Sequence, residues 1–166
     1  MNSQRENQKG LAIIEFTVVS SALLLMLFGI ISFGYYMFSL QMVNEITRKA
    51  ARLASVCYVT DSADINTLVI DSNAPSDFTT SHLVIEYLDE SGGVVTGDLE
   101  DEDTFTSIRF VRAKVDNYDY QFISLFNYLG NNGLVSVPSF ETTLPAESLG
   151  VVRPNKNNTN GTKTDC

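Results

Sequence analysis

The sequence predicts an α+β protein: a long N-terminal transmembrane α-helix continuing into a small domain with an antiparallel β-sheet. Three observations predict it. From Phe16 to Val43 there are 28 consecutive positions without a charge. The chain then continues as an amphipathic stripe that meets neither Pro nor Gly before Cys57. Beyond Cys57 the apolar residues gather into short segments rich in β-formers and separated by turn residues.

The uncharged run is the first element. A helix rises about 1.5 Å per residue and needs about 20 residues to cross a hydrocarbon core of about 30 Å, so the run is long enough. Its centre, Ser21 to Ile31, is apolar on all sides, as lipid exposure requires. Tyr35 and Tyr36 lie toward its C-terminal end, where amphipathic rings favour the headgroup level. A cleaved secretory signal would be shorter and would close on an A-x-A-like site. Past the run, Val43, Ile46, Ala50, Leu53 and Ala54 keep helical spacing, so one helix is expected to carry on through residue 56. Its flanks do not orient it: Arg5 and Lys9 stand against Glu6 on one side, and Arg48, Lys49 and Arg52 against Glu45 on the other.

Four segments are expected along the chain: a leader over 1–10, the transmembrane and amphipathic helix over 11–56, a folded domain over 57–152 and a polar tail over 153–166. In the domain, Ser62–Ile70 suggests a short helix with Ser62 as N-cap. His82–Leu88 reads as a strand, Glu90-Ser91-Gly92-Gly93 as a turn and Val94–Thr96 as the returning strand of a hairpin. Ser107–Val115 alternates, but with a phase slip between Phe110 and Val111 that suggests a bulge or a two-sided strand. Gly133–Thr143 reads as a last strand, with Pro138 marking it as an edge. The apolar stretch Phe122–Leu129 is read as core rather than as a surface patch. The tail, low in complexity, is expected to be mobile unless Cys166 anchors it.

Charge follows the same division. From Cys57 onward there are 17 acidic and 6 basic residues, a net −11, whereas residues 1–56 carry 3 acids and 5 bases, a net +2. An acidic domain argues against nucleic acid as a partner, because phosphates demand clustered Lys and Arg. Its acidity serves solubility and self-repulsion. The acidic run Asp98–Asp103 lacks the glycine turn and terminal Glu of a calcium loop and reads as a solvated loop. His82, the single histidine, has no metal or catalytic motif around it. No nucleophile elbow, zinc signature or phosphate-binding glycine loop is present, so no enzyme, metal or cofactor is expected. The two cysteines, Cys57 and Cys166, leave two readings open: a single bridge closing the domain in an oxidising compartment, or two free thiols.

One residue is out of place. Glu15 sits between Leu11-Ala12-Ile13-Ile14 and Phe16-Thr17-Val18-Val19, where a carboxylate costs about 2.5–3.5 kcal/mol on insertion scales unless it is paired or interfacial. It follows Lys9-Gly10 and a short polar leader. The arrangement from Gly10 to Phe16 resembles the processing motif of type IV pilins, in which a prepilin peptidase cuts after the glycine and leaves glutamate as fifth residue. Together with Phe33-Gly34-Tyr35, Ala50-Ala51-Arg52-Leu53-Ala54, the strand Ile108–Val115, Tyr118-Asp119-Tyr120 and the closing Glu147-Ser148-Leu149-Gly150, the chain is similar to TadE/TadF-like minor pilins (pseudopilins) of the tight-adherence (Flp) system. It departs from many relatives in carrying Ser20 and Ser21 where they place a proline.

The resemblance implies processing between Gly10 and Leu11, and an assembly role for Glu15 and Phe16, the carboxylate meeting the new amine of a neighbouring subunit. It implies a single-pass protein of the bacterial inner membrane with its C-terminal domain in the periplasm or outside, structural rather than catalytic, taking part in pilus initiation or at the tip. Its partners would be other pilins and pseudopilins, the prepilin peptidase and the inner-membrane assembly platform. The competing expectation is an unprocessed, signal-anchored binding or adhesin domain.

Overall fold

The computed structural model of the chain describes residues 3–70, 74–122, 126, 131–152, 162–163 and 166. The chain divides into two compact units, Met1–Phe38 and Ser39–Cys166, with a single helix, α1 (Ser3–Val56), contributing to both. The fold is α+β.

In the first unit the apolar side chains face outward. Leu11, Phe16 and Met26 are each about 70% exposed, and from residue 11 to 38 Ser32 alone is buried. The hydroxyls of Thr17 and Ser21 donate to the carbonyls of Ile13 and Val18 at 2.8 and 2.9 Å. That return bond lets a hydroxyl sit on an apolar helix without an unmet donor. The helix is long and apolar enough to cross a membrane, with a mean hydropathy of 2.3 in its most apolar window and none of that window buried.

In the second unit the same helix turns one face inward. Val43, Ile46, Thr47, Ala50, Ala51 and Ala54 are buried, at alternating spacings of three and one, the seam of a helix on a core. Thr47 is tolerated there because its hydroxyl donates to the Val43 carbonyl at 2.8 Å. Leu53, expected in the stripe, is only partly buried. After a 3-10 turn at Val59–Asp61 comes α2 (Ser62–Val69), which buries Ile65 and Val69. Its N-cap is Asp61 rather than the expected Ser62, because the preceding turn runs directly into the helix.

The main sheet has three strands in the order β1-β2-β5: β1 (Leu83–Leu88), β2 (Phe110–Val115) and β5 (Glu141–Pro145), antiparallel throughout. A second, two-stranded ladder joins β3 (Asp119–Gln121) to β4 (Leu134–Ser136). A third joins β6 (Val151–Val152) to β7 (Thr162–Lys163). β2 is the central strand and buries Val111, Ala113 and Val115 on one face.

Three details differ from the sequence reading, each for a local reason. The phase slip before Val111 is not a bulge: the register from Leu88–Phe110 to Leu83–Val115 is unbroken. Ile108 is buried because it follows α3 (Glu102–Ser107) as its C-cap, before the strand begins. The expected last strand is two strands split at Pro138-Ser139-Phe140, β4 going to β3 and β5 to β2. The expected hairpin return is a single bridge, Leu88 to Val94, followed by Val95 donating to the Tyr87 carbonyl. There the Asp89 carboxylate takes over the turn, accepting from the amides of Ser91 and Gly93 at 2.8 and 2.9 Å. Of the stretch Phe122–Leu129, Phe126 is buried as expected of core; residues 123–125 and 127–129 lie outside the described residues. The tail from Arg153 to Gly161 lies outside them as well.

Candidate functional site

The N-terminal site rests on helix geometry. Leu11 and Glu15 are four residues apart and so lie on one face of α1, one turn from each other. Glu15, Leu11 and Phe16 are all exposed. Among the described residues Glu15 has no ion pair. A carboxylate on an outward apolar face, with no ion-pair partner among the described residues, is arranged to meet something outside the chain or to sit at a headgroup level. Gly10 lies within α1, so the backbone through the expected processing point is helical.

The far end of α1 is closed by a second device. A helix leaves its last carbonyls without intrahelical donors. Here the Ser55 carbonyl accepts from the amides of both Glu147 and Leu149 at 3.2 Å, and the Ser148 hydroxyl reaches the Val56 carbonyl at 3.4 Å. The segment Glu147-Ser148-Leu149-Gly150 is thus the cap of α1, supplied from about 90 residues downstream in sequence. Leu149 and Gly150 both adopt positive φ, 45° and 70°. Gly150 also needs to be glycine for space, since a Cβ there would lie 2.4 Å from the Tyr58 amide nitrogen.

One residue past α1, a disulfide joins Cys57 to Cys166, with 5.8 Å between their Cα atoms. The Cys166 amide donates to the buried Asp61 carboxylate at 3.1 Å. Lys163 on β7 lies 4.0 Å from the centre of the Tyr58 ring and pairs with Glu100 at 2.9 Å, and the Tyr58 hydroxyl donates to the same carboxylate at 3.1 Å. The bond from Lys163, then that from Tyr58, holds the Glu100 carboxyl below its ordinary range. Sequence reasoning weighed the bridge but had no signal for Asp61, Tyr58, Glu100 and Lys163 converging on it, because their separations of up to 105 residues carry no periodicity.

The sheet carries a charge cluster that the sequence reading also missed. Glu86 on β1 pairs with Arg112 at 2.5 Å and with Lys114 at 2.6 Å, both on β2. Glu86 and Arg112 are direct register partners, so alternation puts all three side chains on one face. Burial alone would raise the Glu86 carboxyl, but bonds from Lys114 and Arg112 outweigh it and hold the group below the ordinary carboxylate range. The cross-strand spacing was the available signal. Tyr87, on the opposite face, is pushed up to about 12 by burial and by the nearby Asp61 charge.

The acidic run is not wholly the loop that was expected. Asp101 caps α3 by accepting from the Thr104 amide at 3.3 Å, and Glu102 and Asp103 stand in its first turn, where a helix N-terminus favours negative charge. Among the described residues no group of three or more His, Cys, Asp or Glu side chains is placed to hold a metal ion. His82 ends a 3-10 turn, where its Nδ1 accepts from the Thr79 amide at 3.0 Å, and its ring packs against Phe78 and Tyr118. That arrangement accounts for it as a structural cap.

Residues 10–52 match the model of the family described as TadE-like protein. Over these residues the N-terminal helix is similar to that family. The match begins at Gly10, includes Glu15 and ends at Arg52, four residues short of the end of α1. No curated protein and no solved structure matches the chain. The match lies wholly within α1, the helix that is long and apolar enough to cross a membrane, and includes none of the domain that follows.

Proposed function

We propose that the chain is a minor pilin or pseudopilin, cut after Gly10 by a prepilin peptidase and incorporated into the initiating complex or tip of a tight-adherence pilus. The observation that carries this reading is Glu15: an exposed carboxylate without an ion pair among the described residues, one helical turn from Leu11, on a membrane-length apolar helix whose segment 10–52 is TadE-like. Cleavage creates a cationic amine on Leu11. In a bundle of such helices the Glu15 carboxylate of one copy meets the amine of the next, which removes two uncompensated charges from the apolar interior and fixes the register. The domain from residue 57 onward stays on the extracytoplasmic side of the inner membrane, where an oxidising environment maintains the Cys57–Cys166 bridge. The subunit's work is structural, in contact with other pilins and with the membrane assembly platform.

Two measurements test the proposal. Intact mass and N-terminal sequencing of the protein from membranes with and without the prepilin peptidase should give a peptidase-dependent chain starting at Leu11. An uncut chain in both backgrounds removes the pilin reading and leaves an anchored binding domain. In the second, Glu15→Val should insert normally and fail to support pili; wild-type piliation by that variant would rule out the charge-pairing role.

A further inference from the structure

The outer face of α1 in the second unit carries a feature that neither processing nor Glu15 explains. Lys49, Arg52, Leu53 and Val56 follow one another at helical spacing on one side of the helix, with Arg48 one turn before Arg52. The three cations are exposed, and among the described residues none is in an ion pair. Two open depressions flank Arg52 and Leu53. One, of about 300 Å³, is bounded by Lys49 and by Leu68 of α2. The other, of about 580 Å³, is bounded by Ser55, Val56 and Glu147 and by Leu144 and Pro145 of β5. Val56 and Leu68 are two of the four large apolar side chains exposed beyond residue 38 among the described residues. The surface is therefore a groove with apolar walls that carries Lys49 and Arg52 against the single carboxylate of Glu147, with Arg48 one turn away.

The same molecule displays the complement. Asp98, Glu100, Asp101, Glu102 and Asp103 are exposed around the start of α3, and among the described residues only Glu100 has a cationic partner. The chain from Cys57 onward carries a net −11, so two copies repel each other over most of their surfaces. The Arg48–Arg52 strip is a place where that repulsion turns to attraction, and like-charge contacts elsewhere disfavour other registers. We infer that the groove on α1 docks the acidic segment Asp98–Asp103 of a second copy of this chain. The contact involves neither the Leu11 amine nor Glu15, so it stands or falls separately from the proposed function.

The test uses the full chain in neutral-detergent micelles at one chain per micelle, with donor- and acceptor-labelled copies reporting association. Association should weaken at least about tenfold between about 50 and about 500 mM salt, where screening shortens to a few ångströms. The pair Arg48→Glu/Arg52→Glu should weaken self-association at least about tenfold, and so should the triple Asp101→Lys/Glu102→Lys/Asp103→Lys, because each places like charges together. Mixing the two variants should restore association to within about threefold of wild type, since each then presents what the other lacks. A zero-length carbodiimide cross-link on a mixture of isotopically light and heavy wild-type chains supplies an independent readout. It should join Lys49 of one copy to the 101–103 peptide of another. Intrachain links alone, association indifferent to salt, or failure of the mixture to recover would each overturn the inference. So would the same loss on exchanging anionic for neutral lipid in nanodiscs, which would assign the cations to headgroups.

Discussion

The two units of this chain solve opposite problems with one helix. Among the described residues, eighteen of the exposed large apolar side chains lie between Leu11 and Phe38, and four lie after. From Val43 onward the helix buries one seam of small and branched residues, while its other face carries Arg48, Lys49 and Arg52. The difference shows that a helix need not change its backbone to change its solvent. It changes only which positions are apolar: all round in the first unit, one stripe where a domain covers it. It also locates the stabilising contacts. The first unit has the bonds within its own helix, whereas the second adds a sheet, a disulfide, a remote helix cap and an ion-pair cluster.

Changes that separate the units should therefore be felt in the second and silent in the first. The largest effect is expected from the disulfide, which closes a separation of 109 residues. Cys166→Ser or reduction should destabilise the domain by about 3–5 kcal/mol, read as a shift in its denaturation midpoint with the helix content of the N-terminal segment retained. Gly150→Ala comes next, because the new methyl would lie 2.4 Å from the Tyr58 nitrogen at a φ of 70°. A loss of about 2–4 kcal/mol in chemical denaturation is expected, from strain and from displacement of the α1 cap.

Glu86→Gln should cost about 1–2 kcal/mol, because it leaves Arg112 and Lys114 without their shared carboxylate. Its pH signature follows from the direction of the shift. The carboxylate is favoured in the fold, so its contribution is complete above the ordinary range near pH 4.5 and is lost as pH falls through the lower folded value. The difference between wild type and variant should therefore shrink on acidification, in stability measured from pH 7 down to about 3. Leu24→Ala, about half-exposed in the first unit, should leave the domain's denaturation midpoint within about 0.5 kcal/mol of wild type. A large effect there would break the comparison by showing that the units are energetically coupled.

The helix was legible because its signals are local. A 28-residue gap in charge and a three-and-four spacing through Ala54 can be read without knowing what lies opposite. β1 was legible for the same reason through its run of β-forming residues, and the core face of β2 through alternation at period two. What escaped was set by distance along the chain. The split of the last strand depends on β4 and β5 pairing with different partners. The groups around the disulfide come together from positions 58, 61, 100, 163 and 166, a constellation without local pattern. The closing Glu147–Gly150 was noticed as a motif, but its purpose became visible only when Ser55 and Val56 were seen to need donors.

That closure has a mechanical consequence. Cys57 follows the last residue of α1, and Cys166 is bonded to it. Tension applied between α1 and Cys166 would pass through the disulfide and bypass the chain between the two cysteines. Such a pull would not peel the sheet strand by strand while the bridge is intact. A reductant would convert the same pull into unravelling.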